Sequence, residues 1–119
     1  MRRILLAAVL SAAATLLVEH GLAAAAQLTH VVKLEKPRVT VTEVTDPPGV
    51  PREPYIRPTD QVIVFLDDCT YDRVNPQTGA RQPVKRKSGD VIWHDKGDHA
   101  PQLINTGSKP YRTMVIALK

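Results

Sequence analysis

The sequence predicts a single all-β domain that closes into a jelly-roll β-barrel. No stretch after Gln27 keeps the hydrophobic period of an amphipathic helix over several turns. Short apolar or alternating runs are instead separated by turns rich in proline, glycine and asparagine, which is the pattern of antiparallel strands. About eight such runs suit a barrel, because closure removes the exposed edges that an open sheet would leave.

Residues 1–26 are predicted to be a signal peptide that precedes this domain. Two arginines come before the apolar run Ile4–Val18, and Ala24 and Ala26 have the spacing that signal peptidase accepts. The polar residues after this run leave it shorter than the roughly 20 residues that a membrane-spanning helix needs. The mature domain is therefore expected to be residues 27–119, in the periplasm or outside the cell, with no membrane as a partner.

Composition argues against nucleic-acid binding and against a disulfide-stabilised fold. The chain has 16 Lys and Arg against 12 Asp and Glu, and this small excess is scattered along it. The local basic cluster Arg81–Lys87 has no interleaved aromatic residues, so nucleic acid is not an expected partner. Cys69 is the only cysteine, so no intrachain disulfide can form. We expect it to pack beside the apolar run before it, with an intermolecular disulfide as the alternative.

The N-terminal half of the domain is predicted to supply an edge strand, a core strand and a long loop. Residues 38–44 alternate with period two, so Val39 and Val41 are expected to face the core and the neighbouring threonines the solvent. The segment His30–Leu34 is expected to pair with this strand at a sheet edge. Five prolines between Asp46 and Pro58 exclude a central strand there, because proline lacks a backbone donor.

The rest of the chain is predicted to form further strands joined by short turns. The continuous apolar run at 61–66 is typical of a strand that is buried on both faces. Asn75–Gly79 has the composition of a hairpin turn, and turns containing glycine are expected at 88–90, 95–98 and 106–110. In this part of the chain, strands are expected at 61–66, 69–74, 81–87, 91–94, 102–105 and 111–118.

A motif with two glycine turns lies in the last third of the chain. Gly89 and Gly97 keep the relative spacing of the second conserved motif of the cupin family. His99 is near the position of that motif's histidine, and Asn105 is near that of its asparagine. The chain therefore resembles the cupins over residues 39–119. The resemblance implies a small β-barrel with an internal pocket, which in this family often holds a metal ion.

The metal ligands that the resemblance implies are mostly replaced in this chain. Cupins place two histidines and a glutamate before the first hairpin, where this chain has Tyr55, Arg57 and then Asp60 or Gln61. Arginine stays protonated and a neutral tyrosine is a poor ligand, so the usual cage of three histidines and one carboxylate is not encoded. We therefore expect no cofactor, with iron, manganese or zinc as the alternative.

Three hypotheses about function stay open, and the sequence does not say whether the protein is an enzyme. The first is a binding or accessory protein that holds a small, anionic ligand, because a guanidinium group suits carboxylate or phosphate. Its pocket residues would be Tyr55, Arg57, Trp93 and His99. The second is an enzyme of the dioxygenase or isomerase type whose metal is held by His99 and His94. The third is a purely structural or assembly module, in which a homodimer would form through the edge segment His30–Val44, as the resemblance to cupins implies.

Overall fold

A computed structural model describes residues 27–119, and every regular element in that range is a β-strand. The predicted signal peptide lies outside the described residues. No helix long and apolar enough to cross a membrane is found between Gln27 and Lys119. The strands are β1 (Thr29–Lys36), β2 (Val39–Asp46), β3 (Pro51–Arg52), β4 (Tyr55–Ile56), β5 (Asp60–Phe65), β6 (Cys69–Val74), β7 (Arg81–Arg86), β8 (Val91–His94), β9 (His99–Ala100), β10 (Gln102–Asn105) and β11 (Tyr111–Leu118).

The strands form two larger sheets and one short ribbon. The five-stranded sheet has the order β1-β2-β11-β5-β8, and the four-stranded sheet has the order β3-β10-β6-β7. The ribbon pairs β4 with β9. All pairings between these strands are antiparallel. The predicted all-β class is confirmed.

The proline-rich segment contributes little regular structure, as predicted. It supplies β3 and β4, which have two residues each. Pro51 begins β3 at the edge of the four-stranded sheet, where a missing backbone donor costs least. The predicted edge strand before β2 is also present, since β1 pairs only with β2 in the five-stranded sheet.

The core lies between the two larger sheets. Ile63, Phe65 and Tyr111 from the five-stranded sheet meet Tyr71 from the four-stranded sheet. The rings of Phe65 and Tyr71 are stacked with centroids 6.3 Å apart, and those of Tyr71 and Tyr111 are 6.0 Å apart. Because these three rings bridge the gap between the sheets, they fix the spacing of the sheets beside the cavity described below.

The prediction for β2 was wrong about which face points inward. Thr42, Val44 and Asp46 line the interior of the barrel. Side chains alternate along a strand, so Val39 and Val41 lie on the outer face of the sheet.

The same holds for β5, which is not buried on both faces as predicted. Gln61, Ile63 and Phe65 are buried and face the interior, whereas Val62 and Val64 are only partly buried on the outer face. Within residues 27–119, no second layer covers that outer face.

Candidate functional site

A cavity of about 1290 Å³ lies inside the barrel, between the two larger sheets. Ligand pockets typically enclose roughly 300–1,000 Å³, so the cavity has room for a small molecule. The aromatic rings of the core line part of its wall. The acidic, basic and histidine side chains along the wall are His30, Asp46, Arg52, Glu53, Arg57, Arg73, His94 and His99.

Arg57 is the buried cation of this cavity. Its side chain is 3% exposed. Nη1 donates hydrogen bonds to Gln61 Oε1 at 2.8 Å and to the Tyr55 hydroxyl at 3.2 Å. Nε has no partner among the described residues. Both contacting side chains are neutral, and within residues 27–119 no carboxylate forms an ion pair with Arg57.

The turn at 95–98 holds the backbone of Arg57 in place. The Gly97 N–H donates to the Arg57 carbonyl at 2.9 Å, and the Arg57 N–H donates to the Asp98 carbonyl at 3.0 Å. Gly97 has a φ of 88°, which glycine adopts without strain. The Asp98 carboxylate accepts from the Asp95 N–H within the turn. The second glycine of the sequence motif therefore positions the buried arginine.

A second guanidinium lies beside the first. Arg52 Nη2 donates to the Pro101 carbonyl, while Arg52 Nε has no partner among the described residues. The Cζ atoms of Arg52 and Arg57 are each 5.5 Å from the centroid of the Tyr55 ring, within the range of a cation–π contact. The ion pairs found within residues 27–119 include neither arginine.

Burial lowers the pKa of both Arg52 and Arg57. The direction of the shift reflects the cost of holding each charge away from water. Arginine nonetheless remains protonated in proteins, so both side chains keep their charge. The wall of the cavity near Tyr55 is therefore electropositive.

The two candidate histidines differ in their placement. His94 lies on β8 opposite Gln61 and lines the cavity. Partial burial, followed by the nearby charge of Arg57, lowers the pKa of His94 and favours its neutral form. His99 borders the cavity but is exposed, and the buried residue of its short strand is Ala100.

Trp93 is not a pocket residue, contrary to the prediction. It precedes His94 on β8, so its side chain leaves the opposite face of the sheet. The residue is 52% exposed, and its Nε1 donates to Asp95 Oδ1 at 2.8 Å. The indole therefore belongs to the outer surface of the barrel.

Asp46 and Tyr111 form a buried polar pair that was not predicted from the sequence. They face each other in the register of β2 and β11. Asp46 Oδ1 has no hydrogen-bond partner among the described residues. Burial raises the pKa of Asp46, and burial together with the nearby carboxylate raises that of Tyr111. The sequence does contain a sign of this placement. Asp46 lies two residues after Val44 on β2, so the alternation of side chains along the strand puts both on the interior face.

Two facing antiparallel sheets around a cavity match known cupin structures. A cupin domain from Bordetella pertussis has a TM-score of 0.69 and 20% identity to this chain, over 78% of this chain and 94% of that one. The chain has the cupin fold. A cupin superfamily protein from Desulfitobacterium hafniense matches with a TM-score of 0.58 and 14% identity, over 77% of both chains. A double-stranded β-helix protein from Klebsiella pneumoniae matches with a TM-score of 0.57 and 21% identity, also over 77% of both.

The cupin likeness is one of structure. No protein-family model matches the sequence, and no curated protein matches it. The fold hosts unrelated activities, so the role of this cupin domain has to be argued from the residues of its cavity.

The residues of this cavity do not fit the metal cage of a cupin. Between Gln27 and Lys119, no group of three or more His, Cys, Asp or Glu side chains is arranged to hold a metal ion. Arg57 adds a fixed positive charge to the wall, and its neighbours Tyr55 and Gln61 are neutral. This donor set favours an anion over a divalent cation.

Proposed function

We propose that the protein is an exported cupin-fold binding or accessory protein that holds a small anionic molecule in its cavity. The buried guanidinium of Arg57 supports this function most directly, because its hydrogen-bond partners Tyr55 and Gln61 are neutral and its Nε has no partner within residues 27–119. Burying a charge without a partner costs several kcal/mol. A carboxylate or phosphate in the cavity would offset that cost through charge-assisted hydrogen bonds.

The remainder of the cavity wall supports a ligand with an apolar or aromatic body. The rings of Phe65, Tyr71 and Tyr111 line the cavity together with aliphatic side chains from both sheets. A few polar groups on a mostly apolar wall are typical of sites that orient a small molecule by its charged end. We assign the anionic end of the ligand to Arg57, Arg52 and Tyr55, with His99 at the rim.

Export to the periplasm or the medium is proposed from the N-terminal sequence. The apolar run Ile4–Val18 and the small residues Ala24 and Ala26 form the pattern of a cleaved signal peptide.

The substitution Arg57→Met tests the anion site. We expect benzoate and inorganic phosphate to raise the melting temperature of the wild-type protein, because a ligand that binds only the folded state stabilises it. Benzamide has the shape of benzoate without its charge, so it should have a smaller effect. Arg57→Met should abolish the response to both anions, as measured by thermal unfolding at constant ionic strength.

The matched control is Arg112→Met, which removes an exposed arginine that pairs with Asp67 at 3.0 Å. This variant should respond to the anions as the wild type does. A response of equal size in Arg57→Met, or no response of the wild type to either anion at tens of millimolar, would count against the proposed site.

A metal-dependent enzyme of the dioxygenase or isomerase type is the second candidate. It is favoured by one observation: His94 lines the cavity with a lowered pKa, and neutral imidazole is the form that binds metals. Elemental analysis after equilibration with iron, manganese or zinc separates the two functions. Stoichiometric metal that is lost in both His94→Ala and His99→Ala would favour the enzyme and contradict the anion site.

A further inference from the structure

Asp46 is a buried carboxyl group on the cavity wall with an oxygen atom that lacks a partner. The residue is 7% exposed and lies on the interior side of β2. Its Oδ1 atom accepts no hydrogen bond from any of the residues 27–119. Buried polar atoms in folded proteins normally have a partner, so a group inside the cavity is expected to supply the missing hydrogen bond.

Asp46 and Arg57 lie towards opposite ends of the cavity. Asp46 is opposite Tyr111 at the start of β11. Gln61, which accepts a hydrogen bond from Arg57, is opposite Ala117 near the end of the same strand. At about 3.3 Å per residue, these two positions on β11 are about 20 Å apart. The cavity therefore has an acceptor towards one end and a buried cation towards the other.

Arg52 lies between these two groups. The side chain of Asn105 donates to the backbone carbonyl of Asp46 at 2.9 Å, and Leu103, the next interior residue of β10, is opposite Arg52. Two residues of a strand span about 7 Å, which is the distance along the barrel from Asn105 to the row of Arg52. The guanidinium of Arg52 extends further, to the aromatic ring that it shares with Arg57. A small molecule at the two arginines can therefore also reach Asp46.

Apolar side chains line the space between the two polar ends. Ile63, Phe65 and Val115 supply them from the five-stranded sheet, and Tyr71 and Leu103 from the four-stranded sheet. A wall of this kind contacts the apolar body of a ligand, while a few polar groups fix its orientation. The wall is thus suited to an apolar or aromatic body that carries a polar group at each end.

We infer that the ligand is a hydroxy acid, whose anionic group binds at Arg52 and Arg57 and whose hydroxyl group donates a hydrogen bond to Asp46 Oδ1. The inference rests on the proposed function, because the anion site holds one end of the ligand. A carboxylate oxygen is an acceptor, so the group that faces it has to be a donor. A hydroxyl group suits this place better than an ammonium group, since the nearby charge of Arg52 repels a cation.

The fold itself gives no reason for a carboxyl group at this position. The hydrogen bond from Asn105 goes to the backbone of Asp46, which any residue would provide. The neighbouring interior residues of β2, Thr42 and Val44, are uncharged. Natural proteins retain groups that lower stability where function needs them, and binding of a hydroxyl group is such a function.

Three acids of the same skeleton test the inference on the wild type. They are 4-hydroxycinnamate, cinnamate and 4-methoxycinnamate, of which only the first carries a donor opposite its carboxylate. We expect 4-hydroxycinnamate to bind about tenfold more tightly than either analogue, as measured by isothermal titration calorimetry at neutral pH. The protein is purified after expression of the full chain. In a second pair, 4-(hydroxymethyl)benzoate should bind more tightly than 4-(aminomethyl)benzoate, which carries an ammonium group instead.

Asp46→Val and Glu43→Val form a matched pair of variants. Both replace a carboxylate on β2, but Glu43 lies on the outer face of the strand. Asp46→Val should bind the three cinnamates with equal affinity, close to that of the wild type for cinnamate. Glu43→Val should keep the tenfold preference. Circular dichroism verifies that each variant is folded, and the comparison of the three acids on the wild type stands without either variant.

The results that would overturn the inference differ from those that would overturn the anion site. Equal binding of the three acids to the wild type would overturn the hydroxyl contact alone, since all of them carry the carboxylate. A preference that persists in Asp46→Val would assign the hydroxyl to another acceptor. Tighter binding of 4-(aminomethyl)benzoate would replace the hydroxy acid by an amino acid. Absence of binding by every acid would overturn the anion site and the inference with it.

Discussion

At the scale of the residue, Arg57 is buried and charged, and it has no ion-pair partner among the described residues. The resemblance to cupins identified Tyr55 and Arg57 as candidate site residues, because they occupy the positions of two metal-binding histidines in that family. The structure brings the two side chains into contact on the cavity wall. Trp93 was misassigned because it is adjacent to His94, and neighbouring residues of a strand point to opposite faces.

Cys69 has a structural environment rather than a reactive one. It is half-buried and packs against the aromatic core. Burial is the main cause that raises the pKa of its thiol to about 11. The reactive thiolate is therefore scarce at neutral pH.

Asp46→Asn is expected to stabilise the protein at neutral pH. Burial raises the pKa of Asp46 above its ordinary value of 3.8, so the folded state binds this proton more tightly than the unfolded state. The stabilisation from protonated Asp46 is complete below 3.8 and is lost as the pH rises through the raised pKa. Removing the buried charge should gain about 1 kcal/mol, or roughly 4–8 °C in melting temperature at neutral pH.

Thermal unfolding at neutral and mildly acidic pH measures this effect. The advantage of Asp46→Asn over the wild type should shrink as the pH falls and the wild-type carboxyl takes up its proton. Asp67→Asn is the control, and it should lower the stability at neutral pH. Hydrogen bonds from Arg112 lower the pKa of Asp67, so the charged carboxylate stabilises the folded state. A loss of stability in Asp46→Asn at neutral pH would mean that the charge itself supports the fold.

At the scale of the element, the two glycine turns of the motif form hydrogen bonds with different parts of the chain. In the first turn, the Gly89 N–H donates to the Phe65 carbonyl at 2.7 Å and thereby joins the start of β8 to the end of β5. In the second, Gly97 and Asp98 bracket the backbone of Arg57. Both glycines have positive φ, and a Cβ at either would meet no atom within 4 Å. Substitution by alanine therefore strains the backbone without a steric clash.

Gly97→Ala and Gly89→Ala are expected to differ in binding but not in stability. Each should cost about 1–2 kcal/mol of unfolding free energy, because alanine in the left-handed region is strained. Only Gly97→Ala should also weaken the stabilisation by benzoate and phosphate, since its turn positions Arg57. Denaturant unfolding gives the stability, and thermal shifts with the two anions give the binding. Equal weakening in both variants would indicate a general loosening of the barrel.

At the scale of the whole molecule, the five-stranded sheet places several polar side chains towards the cavity and apolar side chains on its outer face. Thr42, Asp46 and Gln61 face inward, while Val39 and Val41 face outward. This reversal accounts for the small core and for the apolar side chains on the outer face of the five-stranded sheet. A barrel that keeps room for a ligand has fewer interior positions for aliphatic side chains.

The predicted signal peptide is tested on the whole chain. Expression of residues 1–119 should give a periplasmic or secreted product that starts near Gln27, as determined by intact-mass spectrometry. Ala24→Lys should block the cleavage, because signal peptidase requires small residues at this spacing, whereas Ala25→Lys between them should be cleaved normally. Full-length protein that remains in the cytoplasm would contradict the export hypothesis.

The order of strands and turns could be predicted from the sequence because it depends on local chemistry. The prolines after Asp46 exclude a central strand, and the glycines at 89 and 97 take backbone angles that other residues avoid. The two-residue strands β3, β4 and β9 were not predicted, since so short a run has no measurable period. Their pairing depends on distant segments that the fold brings together.

The sequence by itself determined which residues of a strand share a face, and only the tertiary structure decided which face points inward. Period-two alternation is unchanged when the two faces of a sheet are exchanged, so hydrophobicity has to identify the interior. In β2 that criterion selected Val39 and Val41, although the cavity is lined by Thr42 and Asp46. The criterion fails where some inward positions of a strand carry polar side chains that line a cavity and its outward positions carry apolar ones.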